Sequence, residues 1–148
     1  MDEETRQSIT QNAGHRMDEG YHCSEAILLA VGGHYLGDQA ARETLRYSTP
    51  FAGGVGSTRA ELCGALAGGL MVIGGVYGRE QGPTPDERCQ ALAVEFRAEF
   101  LQEFGWLKCC DLKENWISNA GQESCRALAE KTAGVLIRVI EVTIPDKK

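Results

Sequence analysis

Residues 62–78 carry no charged side chain, and this feature constrains the fold more than any other in the chain. The stretch lies between Glu61 and Arg79, and its 17 residues fall short of the ~20 apolar residues that a membrane-spanning helix needs. A buried central helix is therefore the better interpretation. Glycine disfavours a helix, so the glycines indicate that neighbouring backbones approach closely, with a homodimer contact as an alternative use of the same surface. These glycines are Gly64, Gly68, Gly69, Gly74, Gly75 and Gly78.

Apolar residues recur at intervals of three and four along most of the chain, which is the period of an amphipathic helix. The central helix is expected to begin near residue 59, where Ser57 or Thr58 caps it and Glu61 completes a capping box. Residues 106–120 lack the period and predict a loop with a short turn of helix. The predicted helices span residues 3–19, 23–36, 39–47, about 59–78, about 84 or 86 to 104 and about 122–142.

No segment alternates with the period of a β-strand, and no linker or repeat divides residues 1–148. We therefore predict an all-α fold: a single-domain compact bundle of about five to six helices around the glycine-rich one. The chain has 15 Lys and Arg against 21 Asp and Glu, a net charge of −6, and its basic residues are scattered. This distribution argues against binding to nucleic acid or to an anionic membrane. The acidic, polar N-terminal residues do not resemble a targeting peptide, so a cytoplasmic protein without membrane insertion is expected.

Six cysteines in 148 residues are the main indication of chemistry. Disulfide frameworks are rare in the cytoplasm, so these cysteines favour metal, cluster or thiol–disulfide chemistry, although free cysteines also fill protein cores. The chain has no C-x-x-C pair, so neither a thioredoxin-like motif nor a zinc knuckle is predicted. A site must therefore be assembled from distant segments.

The cysteines differ in their predicted positions. Cys23, Cys63 and Cys125 lie near helix starts, where backbone N–H groups and the helix dipole stabilise a thiolate. Cys109 lies in the irregular segment, where a loop can deliver a ligand. Cys89 continues the apolar stripe of its helix, which indicates a core position. The loop at residues 53–56 is a weaker candidate for phosphate binding, because it lacks the lysine and the preceding strand of a P-loop.

Residues 63–68 match the motif C-G-A-x-x-G, and Cys23 precedes them in a Cys-Ser-Glu-Ala context. On these residues the chain resembles the C_GCAxxG_C_C family of redox-active proteins, from Cys23 to about Leu128. The resemblance implies a redox role and carries the family's four cysteines onto Cys23, Cys63, Cys109 and Cys125. Cys109 fits the third position better than Cys110 because it opens a Cys-x-x-Leu pattern.

Four thiolates are the ligand set of a [2Fe–2S] or [4Fe–4S] cluster and of a Cys₄ zinc site. We expect the four cysteines to bind an iron–sulfur cluster, with [2Fe–2S] favoured, for electron transfer or redox sensing with an unidentified redox partner protein. The first alternative is an oxidoreductase-like thiol–disulfide protein in which Cys63 pairs with Cys109 or Cys125. The second is a structural or interaction domain built on Cys₄ zinc.

Overall fold

The computed structural model describes residues 1–117 and 125–143, and within these ranges the fold is all-α, as predicted. The described residues form no β-strand, only an isolated antiparallel bridge between Leu62 and Lys108. The helices are α1 (Glu3–Asp18), α2 (Cys23–Ile27), α3 (Gly33–Leu36), α4 (Asp38–Ser48), α5 (Gly64–Tyr77), α6 (Glu87–Phe104), α7 (Cys109–Asp111) and α8 (Cys125–Thr143).

Two π-helical turns extend these helices. The turn Leu28–Gly32 joins α2 to α3, so that one unbroken helix spans residues 23–36, as the periodicity predicts. The turn Leu112–Ile117 continues α7, and a 3₁₀ turn, Thr49–Phe51, continues α4. The described ranges therefore contain seven continuous helical segments. This is one more than the six helices predicted from the sequence. The additional segment is α7 with its π turn, which lies where the sequence indicates a loop with a short turn of helix.

Local caps place most helix ends where the sequence predicts them. The Asp2 carboxylate caps α1 by accepting a hydrogen bond from the Thr5 N–H at 2.7 Å. Helix α4 ends at Ser48, ahead of the Thr49-Pro50 step that disfavours helical geometry. Gly105 ends α6 in the left-handed conformation, with φ +83°, and its N–H donates to the carbonyl oxygen of Leu101 at 2.7 Å.

The start of α5 corrects the sequence prediction. The helix begins at Gly64 rather than near residue 59, and neither Ser57 nor Thr58 caps it, so the capping box with Glu61 does not form. The N-cap residue is instead Cys63. The reason is a left-handed backbone, which a right-handed helix cannot include. Positive φ angles occur at Gly53, Gly54, Val55, Gly56, Ser57 and Arg59.

Helix α5 packs between α2, α6 and α8 at the centre of the bundle. A Cβ atom on Gly68 would fall on the carbonyl oxygen of Ser24 in α2, and a Cβ on Gly69 would fall on the ring of Phe96 in α6. These contacts confirm that the glycines permit close approach. The C-terminal end of α5 is different, because Gly74 and Gly75 are exposed. No helix within the described ranges combines the length and apolar character needed to cross a bilayer.

An aromatic column joins α6 to the π turn after α7. Phe96, Phe100 and Phe104 are buried along one face of α6, and burying one such side chain contributes about 1.5–3 kcal/mol. The ring of Trp116 meets the ring of Phe104 edge-on, with 5.0 Å between centroids. This contact holds the π turn against α6 and thereby positions the residues between Cys109 and Trp116.

Candidate four-cysteine site

A cavity of about 310 Å³ lies between the N-terminal ends of α2, α5 and α7 and the first described residues of α8. The structure brings all four cysteines of the predicted site to its wall, although they come from four separate segments of the chain. Cys89 and Cys110, which are also within the described ranges, do not line it. The cysteines that line the cavity are Cys23, Cys63, Cys109 and Cys125.

Three of the four cysteines lie at a helix start. Cys23 and Cys109 are the first residues of α2 and α7, and Cys63 is the N-cap of α5. Cys125 is the first described residue of α8. Backbone N–H groups at helix N-termini have no partner within the helix, and the helix dipole is positive there. The cavity therefore lies in a field that favours negative charge on sulfur.

Backbone pairing brings Cys63 beside Cys109. The N–H of Cys63 donates to the carbonyl oxygen of Leu107 at 2.8 Å, and the N–H of Cys109 donates to the carbonyl oxygen of Glu61 at 2.9 Å. A third bond runs from the N–H of Cys110 to the carbonyl oxygen of Arg59, two residues before Glu61. The segments on either side of the Leu62–Lys108 bridge are thus held together by main-chain bonds, which fix both cysteines independently of their side chains.

The left-handed turn at residues 53–59 supplies further contacts to the sulfur atoms. The N–H of Gly53 donates a hydrogen bond to the Cys23 sulfur. A Cβ on Gly54 would lie 2.7 Å from the Cβ of Cys109, and a Cβ on Gly64 would lie 2.5 Å from the Cys23 sulfur. Residues other than glycine with positive φ are uncommon and cluster at functional sites, and this turn contains Val55 at φ +69°.

Cys23 and Cys63 form a hydrogen-bonded thiol pair. The bond donated by the Cys63 thiol, aided by the N–H groups of Gly53 and Ser24, lowers the pKa of Cys23 to about 6 despite its burial. The same bond, together with burial, raises the pKa of Cys63 well above its usual value. The hydrogen bond therefore makes Cys23 the more acidic thiol of the pair, because it stabilises a negative charge on the Cys23 sulfur and keeps the proton on Cys63.

Two cations line the same cavity close to the other two sulfur atoms. Burial raises the pKa of both Cys109 and Cys125, whereas the positive charges of Lys113 and Arg59 lower it. The Lys113 ammonium also forms a hydrogen bond with Cys125. No Asp or Glu is among the described residues that line the cavity, which is unusual for a chain of net charge −6. The described part of the wall therefore carries two cations and no carboxylate.

The sequence interpretation missed Lys113 and Arg59. Lys113 lies four residues after Cys109, so a predicted helix there would have placed both on one face. No local signal identifies Arg59, because its position depends on the left-handed turn. The third cysteine is easier to assign: Cys109 is 7 % exposed and lines the cavity, whereas the sulfur of Cys110 lies 3.9 Å from the Asp111 carboxylate, outside it.

The thiols of the cavity are neither oxidised to disulfides nor arranged as a metal-binding group in the part of the chain that the structure describes. No three His, Cys, Asp or Glu side chains within residues 1–117 and 125–143 form a group that could hold a metal ion, and all six cysteines are free thiols.

Comparison with known proteins supports a redox role. A family model described as "Putative redox-active protein (C_GCAxxG_C_C)" matches residues 21–139, a range that contains all four cysteines of the cavity. Comparison with curated proteins and with solved structures gives no match. The match covers most of the chain, and the chain belongs to the C_GCAxxG_C_C family of redox-active proteins.

Proposed function

We propose that Cys23, Cys63, Cys109 and Cys125 bind an iron–sulfur cluster and that the protein acts in electron transfer or redox sensing. The observation that carries this proposal is the convergence of four thiols from four segments on one cavity. Four thiolates are the usual ligand set of both [2Fe–2S] and [4Fe–4S] clusters. We favour the [2Fe–2S] form.

The chemistry of the donor set fits such a group. Thiolates carry the ligand charge, and helix N-termini and cations favour the thiolate form. The N–H of Gly53 donates to the Cys23 sulfur, and hydrogen bonds to sulfur tune the potential of a cluster. Gly64 has no side chain, and this leaves room for the Cys23 sulfur, which a side chain at position 64 would overlap.

The cluster would supply one-electron redox chemistry, and the residues of the chain would hold and shield it. Cys63 and Cys109 are 4 % and 7 % exposed, so the wall they form excludes most water. The main-chain bonds across the Leu62–Lys108 bridge hold these two ligands at a constant separation. Such preorganisation keeps structural change between two oxidation states small, which suits rapid electron transfer.

Anaerobic purification with a visible spectrum and with iron, zinc and labile-sulfide analysis tests the proposal. We expect coloured protein with near-equal iron and sulfide, at about two of each per chain for [2Fe–2S] and about four for [4Fe–4S]. Colourless protein with one zinc per chain, or protein that remains metal-free after anaerobic reconstitution with iron and sulfide, would contradict it.

A second candidate function is thiol–disulfide exchange between Cys23 and Cys63, which the hydrogen bond between their sulfur atoms favours. We therefore propose Cys23 as the partner of Cys63 in this function, in place of Cys109 or Cys125. The Cys23 thiolate would attack a small-molecule disulfide and release one thiolate. Cys63 would then lose its proton to that thiolate and attack the Cys23 sulfur, releasing the second small-molecule sulfur as a thiolate and leaving a Cys23–Cys63 disulfide.

Thiol counting in the metal-free protein tests this second function, with oxidised glutathione as the disulfide. We expect the count to fall by two in the wild type and in Cys89→Ser, whose thiol lies outside the cavity. The variants Cys23→Ser and Cys63→Ser should each lose the intramolecular disulfide and retain mixed disulfide at most. An unchanged count in the wild type would rule out this function.

A further inference from the structure

Lys113 and Arg59 reach the cavity from backbone positions that the fold holds in place. Lys113 lies on the π turn that continues α7, and the contact between Trp116 and Phe104 packs that turn against α6. Arg59 has φ +63°, and its carbonyl oxygen accepts the N–H of Cys110 at 2.9 Å. Both side chains line the cavity.

The two cations differ in how closely they are coupled to the sulfur atoms. Lys113 is half-buried and forms a hydrogen bond with Cys125. Arg59 is exposed, so dissolved salt screens its charge more strongly. The rest of the chain carries an excess of negative charge, which opposes the arrival of an electron in the cavity. Two cations on the cavity wall offset that opposition locally.

We propose that Lys113 and Arg59 are positioning residues that raise the reduction potential of the group bound by the four cysteines, with Lys113 contributing more. This inference rests on the proposed iron–sulfur function. Reduction adds one electron to an already anionic site, and a nearby positive charge stabilises the reduced state more than the oxidised state. Arg59 acts in the same direction, but its contribution should fall as salt concentration rises.

Redox titration of anaerobically purified protein tests the inference by comparing the wild type with Lys113→Met, Lys113→Arg and Arg59→Met. The matched control is Arg97→Met, which removes an exposed cation from α6, a helix that contributes no described residue to the cavity. We expect Lys113→Met to lower the equilibrium constant for reduction about tenfold, a negative shift of about 59 mV for one electron. Lys113→Arg should keep the wild-type potential.

Further outcomes separate this inference from the proposed function. Arg59→Met should shift the potential less than Lys113→Met does, by an amount that shrinks in high salt, and Arg97→Met should leave it unchanged. Loss of iron from Lys113→Met but not from Lys113→Arg would also support the need for positive charge. Two results would overturn this inference and leave the proposed function standing. One is a Lys113→Met variant with full iron and sulfide content and the wild-type potential, and the other is equal iron loss from Lys113→Met and Lys113→Arg. A wild type without iron and sulfide would overturn the proposed function and this inference with it.

Discussion

Replacing Cys63 with serine is expected to abolish the visible absorption of anaerobically prepared protein and to remove its iron and labile sulfide. Cys63 is buried, lies at the N-cap of α5 and contributes its sulfur to the cavity. Outer-shell changes around metal sites cost about 10–100-fold in affinity, so loss of a ligand should cost at least about 100-fold. Iron and sulfide analysis, with circular dichroism to confirm the helical fold, measures the effect.

The adjacent cysteines Cys109 and Cys110 provide a matched control for this prediction. Only Cys109 lines the cavity, while the Cys110 sulfur faces the Asp111 carboxylate. We therefore expect Cys109→Ser to lose iron in the same way as Cys63→Ser, and Cys110→Ser to retain it. If Cys110→Ser lost its iron and Cys109→Ser kept it, the assignment of the third ligand would be reversed.

Replacing Gly68 with alanine is expected to lower the free energy of unfolding by about 1–3 kcal/mol, the usual cost of overpacking a core. The new methyl group would fall on the carbonyl oxygen of Ser24, which is backbone and cannot rotate away. The Ser24 hydroxyl is also buried and donates to the carbonyl oxygen of Ser48 at 2.8 Å, so α2 has little freedom to move. Urea unfolding of the metal-free protein measures the change.

Gly74 in the same helix is the matched control. It is exposed, and a Cβ built there has no heavy atom within 4 Å. Gly74→Ala should therefore gain helix propensity without a clash and raise the free energy of unfolding by about 0.5–1 kcal/mol. Stabilisation by both alanines would show that α2 and α5 are not in close backbone contact at Gly68.

The spacing of the C-G-A-x-x-G motif now has a structural explanation. Its two glycines, Gly64 and Gly68, are four residues apart and therefore share one face of α5. That face meets α2: Gly64 makes room for the Cys23 sulfur, and Gly68 makes room for the Ser24 backbone. The motif cysteine, Cys63, caps the helix beside Cys23. One short motif thus provides a ligand, space for a second ligand and the packing that holds the two together.

The sequence alone determined the helical architecture, because helical periodicity and capping are local properties. The spacing of apolar residues identified α1 and α6 within a few residues, and Gly105 and Thr49-Pro50 marked helix ends correctly. The six glycines of residues 62–78 indicated a central helix with close neighbours, which the contacts of Gly68 and Gly69 confirm. The positions of Cys23 and Cys63 near helix starts also followed from local patterns, whereas Cys109 begins a short helix where the sequence indicated an irregular segment.

Only the tertiary structure decided how the cavity is built. The left-handed turn ahead of Cys63 delays α5 to Gly64, and no local pattern predicts it, because Val55 adopts a conformation that β-branched residues normally avoid. The main-chain bonds around the Leu62–Lys108 bridge join residues more than forty positions apart. These long-range contacts bring Cys109 to Cys63 and put Arg59 on the cavity wall. The sequence could not predict them, because pairing between distant segments depends on the packed bundle rather than on either segment alone.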